Sequence, residues 1–203
     1  MSKTKKIVAL LLVLVMAMSM LSACGKGGTG GGTGNSGEPK DELNFAIMQD
    51  TGTLYPFAVS GGFVSLMYAF YEPLWDYTAD GTKFNILAES WEKVSDTQYK
   101  LTIRDDVTFS NGNPLTAEDV LFSMEVCKDD PRFYLNVKVI DFENTKVTGD
   151  YTMDVYYTSY DITQEISFSQ LMILDKESYD LESLSLNPIG TGPYVVTDYV
   201  VNS

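Results

Sequence analysis

Cys24 is the residue whose type and setting carry the clearest chemistry. It closes Leu21-Ser22-Ala23-Cys24, the small-residue pattern of a lipobox, in which the cysteine is diacylated and becomes the first residue after cleavage. Ahead of it, Lys3, Lys5 and Lys6 precede an unbroken apolar run from Ile7 to Met18, the basic and hydrophobic regions of a secretory leader. That run falls short of the roughly 20 apolar residues needed to span a bilayer. Residues 1–23 therefore read as a lipoprotein signal peptide and Cys24 as the lipidated residue. The stretch 24–40 is mostly glycine between Gly25 and Gly37, too poor in apolar surface to fold, and reads as a flexible leash. Two acyl chains on one cysteine anchor a protein stably where one is marginal.

The remaining chemical inventory is sparse. The chain has no histidine, so Ser-His-Asp and Cys-His hydrolysis, His-ligated zinc and HExxH chemistry have no candidate residues. Adjacent carboxylates occur at Asp105 and Asp106, Glu118 and Asp119, and Asp129 and Asp130. Sequence neighbours point in different directions on a strand or helix, whereas glycoside hydrolysis needs two carboxylates facing one another across a cleft. The glycines from Gly27 to Gly34 follow no strand and end in no GK[ST], so they are linker rather than a phosphate loop. With Cys24 lipidated, Cys127 stands alone, which rules out an intramolecular disulfide and suits a small apolar residue on a helix. Fourteen basic against 28 acidic residues leave a net charge of −14. That balance argues against nucleic acid, whose affinity rests on Lys and Arg neutralising phosphates. No enzymatic activity, cofactor or metal is expected.

The elements that must position any site read as one small α/β body. Leu43-Asn44-Phe45-Ala46-Ile47 has the composition of a first strand, with a turn-rich exit from Asp50 to Pro56. Phe63, Leu66, Met67, Phe70 and Tyr71 keep helical spacing up to Pro73. Asp80-Gly81 between Trp75-Asp76-Tyr77 and Phe84-Asn85-Ile86-Leu87 predicts a hairpin, and Gly149-Asp150 before Met153-Asp154-Val155-Tyr156 predicts another. Tyr99, Leu101 and Ile103 alternate with Lys100, Thr102 and Arg104, the period of a half-buried strand. Ser110-Asn111-Gly112-Asn113-Pro114 breaks the chain, and Thr116 with Asp119 three residues on forms a capping box. Ala117, Val120, Leu121, Met124 and Cys127 continue that helix. Phe168, Leu171, Met172 and Leu174 form a short apolar element. Roughly 160 residues suffice to bury one core.

Taken as a string, these blocks resemble the family 5 extracellular solute-binding proteins, the dipeptide-, oligopeptide- and nickel-type receptors of ABC importers. Thr53-Leu54-Tyr55-Pro56 is similar to the family's exit from its first strand, with Tyr55 in place of the usual aspartate. Tyr71-Glu72-Pro73-Leu74, Asp80-Gly81 and Leu87-Ala88-Glu89-Ser90-Trp91-Glu92 follow in family order. So do Ile103-Arg104, Phe109-Ser110-Asn111-Gly112, Pro114-Leu115-Thr116-Ala117-Glu118-Asp119-Val120 and Gly190-Thr191-Gly192-Pro193-Tyr194. Trp91, Gly112 and Thr116 are assigned to folding.

The resemblance implies an α/β fold of the periplasmic-binding-protein type: a two-lobed clamp (type II, with a family-specific extra domain). Residues 41–72 would begin the first lobe, 73–183 would form the extra α/β domain, and 184–203 would return to the first lobe. Ending at Ser203, the chain would hold only part of the first lobe plus the extra domain, and would not clamp a ligand by itself. The implied function is a monomeric, lipid-anchored receptor on the outer face of the bacterial cytoplasmic membrane. It would capture a small peptide without covalent chemistry and deliver it to an ABC permease. A nickel chelate, an oligosaccharide or a signalling role are alternatives on the same fold. Ser60, Gly61, Gly62 and Phe63 match a cleft-lining loop, and Phe133 and Tyr134 are placed at the same cleft.

Overall fold

The computed structural model describes residues 50–58, 64–161 and 163–201, all within the unit Ala46–Ser203. The leader, Cys24, the glycine-rich stretch and the proposed strand 43–47 lie outside the described residues, as do Ser60, Gly61, Gly62 and Phe63.

Two antiparallel sheets carry the body. Strands β1 (Trp75–Tyr77) and β2 (Lys83–Asn85) form a small hairpin with Trp75 opposite Asn85, closed through Gly81 at φ +83°. The larger sheet has the order β3-β4-β6-β5, from β3 (Ala88–Lys93), β4 (Gln98–Ile103), β5 (Lys146–Gly149) and β6 (Thr152–Tyr156). The alternation read from β4 is realised: Tyr99, Leu101 and Ile103 are buried while the residues between them stay exposed or half-buried. Leu101 stands opposite Met153 and Tyr99 opposite Val155, so the apolar faces of β4 and β6 meet in register. On the opposite face, Glu92, Lys100, Asp154 and Lys146 oppose one another in successive strands, an alternating-charge row that suits a solvated surface.

Strand β3 carries no sequence signal. Ala88-Glu89-Ser90-Trp91-Glu92-Lys93 lacks alternation and is rich in poor strand formers. It is extended because β4 offers a free edge, and a register shift between Ala88 and Ser90 brings Trp91 opposite Leu101. Trp91 then stacks on Tyr99 at 4.7 Å and donates from its indole nitrogen to the Glu165 carboxylate at 3.0 Å. The same glutamate, on the short helix Gln164–Phe168, takes Lys83 Nζ at 3.1 Å, and its backbone carbonyl takes the Trp75 indole N–H.

The expected helix behind 63–71 is reduced to α1 (Val64–Met67). The carbonyls of Ala69 and Phe70, which the end of a helix leaves without intrahelical donors, accept the amides of Tyr194 and Gly192 at 3.0 and 2.9 Å. α2 (Ala117–Asp129) forms as read: Ala117, Val120, Met124 and Cys127 are buried at three- and four-residue spacing. The Asp119 carboxylate accepts the Thr116 amide and hydroxyl at 2.8 and 2.7 Å, closing the box at its start. Burial pushes the Cys127 thiol far above its usual range, as befits an inert core residue. Helices α3 (Gln164–Phe168) and α4 (Leu181–Leu184) flank a buried stretch of Leu171, Met172, Ile173 and Leu174. One large apolar cluster joins Tyr55 and Phe57 to the sheet, α2 and this stretch. A small second cluster joins Leu54 and Met67 to Val196 and Tyr199.

Candidate functional site

The motif residues converge on a polar knot rather than on a reactive centre. The turn Ser110–Pro114 reverses through Gly112 at φ +93°, with the Gly112 amide on the Phe109 carbonyl at 2.8 Å. This aims Asn111 and Asn113 at Asp175, whose Oδ2 accepts their amides at 2.7 and 2.9 Å and also the Ser178 hydroxyl, while Oδ1 accepts the Glu177 amide at 3.1 Å. Burial pushes the Asp175 carboxyl up, but these four donors outweigh it and hold the group below the ordinary carboxylate range. Asp119 adds a second tie through the Lys176 amide at 2.9 Å, and Ser123 a third through Leu174 at 2.8 Å. Asn111, Asn113, Thr116 and Asp119 therefore fasten the turn and α2 to 174–178. Every one of these groups has a structural partner.

Gly190 and Gly192 complete the knot. The Ser110 amide donates to the Gly190 carbonyl at 2.9 Å, and a Cβ on Gly190 would stand 2.2 Å from the Phe70 carbonyl oxygen. On Gly192 it would stand 2.5 Å from the Phe70 carbonyl carbon. The Gly-Thr-Gly spacing thus exists because two backbones pass in contact.

Beside this frame lies an open cleft of about 580 Å³. One wall is the exit segment 53–58, another the end of α2 with Asp130, Pro131 and Arg132, and a third the segment 179–185. The Leu54 amide on the Ser185 carbonyl at 2.8 Å ties the first wall to the third. Tyr55 and Tyr179 share a hydroxyl–hydroxyl bond of 3.2 Å, and burial together with that bond raises the Tyr55 phenol far above its usual value, keeping it neutral. Arg132 grips Asp130 through Nε at 3.0 Å and a terminal nitrogen at 2.6 Å, which holds that carboxyl below its ordinary range. The size and mixed lining are those of small-molecule pockets. A second cavity, of about 460 Å³ at the start of α2, has its lysine spent on an ion pair between Lys176 and Glu118 at 2.8 Å.

Of the residues singled out in the sequence, Phe133 is half-buried with its ring 5.2 Å from that of Phe57, and Tyr134 is exposed on the 3-10 turn Tyr134–Asn136. Phe57 precedes the undescribed residues 59–63 by two positions, so its contact places Phe133 beside the chain that leads into them. Tyr55, Arg132 and Tyr179 were not picked out as cleft residues. Tyr55 did carry a signal, as a departure from the family's aspartate. Arg132 and Tyr179 carried none, because their part depends on which loops meet.

The pattern of the family described as bacterial extracellular solute-binding proteins, family 5 Middle, matches residues 85–203. The nickel-binding periplasmic protein of Escherichia coli K12 is 28% identical over 172 residues, which cover 80% of this chain and 32% of that protein. The oligopeptide-binding protein OppA of Bacillus subtilis is 36% identical over 140 residues, covering 64% and 24% respectively. Among solved structures, NikA of Brucella suis in complex with Fe(III)-EDTA superposes with a TM-score of 0.66 at 28% identity, over 78% of this chain and 34% of that one. The periplasmic oligopeptide-binding protein of Thermotoga maritima gives 0.65 at 25% identity, over 77% and 31%. The chain thus spans a third or less of the length of the curated relatives named above. Its mixed α/β body has the expected periplasmic-binding-protein fold and covers part of it. With more than half its length inside the family pattern, this chain belongs to the family 5 bacterial extracellular solute-binding proteins.

Proposed function

We propose that the protein is an extracellular solute receptor that captures small peptides without covalent chemistry and hands them to an ABC permease. The observation that carries the reading is the family match over 85–203 together with 36% identity to an oligopeptide-binding protein. The structure is consistent with a binding role: its motif residues are committed to hydrogen bonds that hold loops in place, and a cleft of ligand-binding size opens beside them. In this reading residues 41–72 and 184–203 belong to the first lobe and 73–183 to an extra domain. Ser60, Gly61, Gly62 and Phe63 line the ligand cleft with Phe133 and Tyr134, supported by the Phe57–Phe133 contact. The diacylated Cys24 holds the receptor at the outer face of the membrane, on the strength of the lipobox alone. A nickel chelate is the second reading, favoured by the similarity to a nickel-binding protein over 80% of this chain.

Calorimetry separates the two. The protein expressed from its intact reading frame, unfolded and refolded to remove carried ligand, is titrated with trialanine and with Ni(II) plus L-histidine. Saturable heat with trialanine, and a melting temperature that rises with its concentration, is the expected result. Heat from the nickel complex alone would replace the peptide reading with the second. Metabolic labelling with a radioactive fatty acid tests the anchor: label lost in Cys24→Ser supports it, and label retained there refutes it.

A further inference from the structure

The cleft between 53–58, the end of α2 and 179–185 does not treat ligand charges alike. Ala58, Val126 and Leu181 supply hydrocarbon to its lining, and Tyr55 and Tyr179 supply rings. Three charged groups stand at its edge, and two of them cancel: the Arg132 guanidinium is clamped on Asp130 by hydrogen bonds of 3.0 and 2.6 Å. The third, Asp129, is exposed and has no ion-pair or hydrogen-bond partner among the described residues. The two phenols are hydrogen-bonded to each other rather than to this carboxylate.

An anionic group entering this cleft would meet an uncompensated carboxylate and a cation already neutralised. A purely apolar group would leave that carboxylate without a partner. A hydrocarbon stem ending in a cation satisfies both features, since long basic side chains lay their methylenes on apolar surface and keep the charged end at a polar edge. Tyrosine faces also attract ammonium and guanidinium groups. We infer that this cleft is the subsite for a basic side chain, lysine or arginine, of a bound peptide, with Asp129 pairing its charge and Tyr55 and Tyr179 flanking its stem. The inference rests on the peptide-receptor reading above and adds to it a substrate class.

The test uses the intact protein and a set of tripeptides of equal length. Ala-Lys-Ala, Ala-norleucine-Ala and Ala-Glu-Ala are titrated, with lysine also placed at the first and third positions. At least one lysine position is expected to bind about tenfold more tightly than its norleucine counterpart, the sum of one solvent-facing ion pair and a cation–ring contact. Glutamate is expected to bind more weakly than norleucine at that position. Asp129→Asn should cut the lysine preference to roughly the threefold that the cation–ring contact alone supplies, with the norleucine affinity unchanged, which also shows that the variant folds. Peptides that bind without regard to charge, or a preference undiminished in Asp129→Asn, would overturn the subsite and leave the receptor reading intact. Absence of binding by every peptide would remove both together.

Discussion

The four-stranded sheet with α2 and the returning segment 187–201 are held by opposite means. The sheet is held by side chains: Tyr99, Leu101, Ile103, Met153 and Val155 are buried against one another, and any backbone hydrogen bond is one of a ladder. The returning segment is held by main chain. Its amides at Gly192 and Tyr194 reach Phe70 and Ala69, its carbonyl at Gly190 takes Ser110, and its own side chains stay largely outside, Tyr194 at 51% and Val195 at 61% exposure. The comparison explains why motif residues in this chain are of two sorts. Leucine and valine positions matter for the volume they fill, whereas Gly190 and Gly192 matter for the side chain they lack.

Four substitutions break or sharpen that contrast. The largest effect is expected for Gly190→Ala, because its Cβ would meet main-chain atoms that cannot swing aside. A loss of ~4 kcal/mol, in the upper tail of single substitutions, should appear in urea unfolding. Hydrogen exchange should show protection lost first at Gly192 and Tyr194. If the amides of β4 and β6 lost protection equally, the segment would be part of the same cooperative unit and the contrast would fail.

Leu101→Ala attacks the other side. Leu101 is fully buried opposite Met153, so its truncation leaves a cavity and should cost ~3 kcal/mol. Here protection should fall across the sheet while Gly192 and Tyr194 follow only through global unfolding. A cost below ~1 kcal/mol would mean that the sheet closes over the gap and is less tightly packed than its burial indicates.

Asp175→Asn lies between the two, since this carboxylate joins loops rather than filling space. An amide oxygen cannot accept all four donors, and a loss of ~2 kcal/mol is expected. The pH dependence carries the sharper sign. The folded Asp175 carboxyl sits below its ordinary value, so its contribution is complete above the unfolded carboxylate pKa of about 3.9 and is lost as pH falls through the folded value. Urea midpoints measured from about pH 5 downward should fall less steeply in Asp175→Asn than in the parent, and parallel curves would sink the assignment. The smallest effect is expected for Gly81→Ala. Its φ of +83° favours glycine, yet no atom stands within 4 Å of the added Cβ. Only ~1 kcal/mol of left-handed strain should result, and a loss matching that of Gly190→Ala would show that a left-handed φ costs as much here as a clash with main chain.

Local pattern was legible where the reason for a residue lay within a few positions of it. The period of Tyr99, Leu101 and Ile103, the box of Thr116 and Asp119, and the turns at Gly81 and Gly112 each depend on neighbours in the chain, and the structure shows each of them. The helix over 63–71 is shorter than its spacing predicts: after Met67 the amides of Ala69 and Phe70 bond to the carbonyls of Leu66 and Met67, three residues back, and a pattern of apolar residues does not distinguish such turns from α-helix. Strand β3 was missed for a related reason: its residues have no alternation, and only the free edge of β4 makes them extended.

What the sequence alone determined about this protein is its inventory: no histidine for general-base chemistry, a large excess of acid over base, a Leu-Ser-Ala-Cys string ending at Cys24, and the ordered blocks that mark its family. Those properties are one-dimensional, so composition and spacing suffice to state them. Only the tertiary structure decided that Asn111 and Asn113 serve Asp175, that Gly190 exists to let Phe70 pass, and that Tyr55, Asp129 and Tyr179 share one cleft. These partners are brought together from segments 50 to 124 residues apart, and no local rule relates them. Their meeting follows from burial of the common core, which sets the loops at its rim wherever the packed elements leave them.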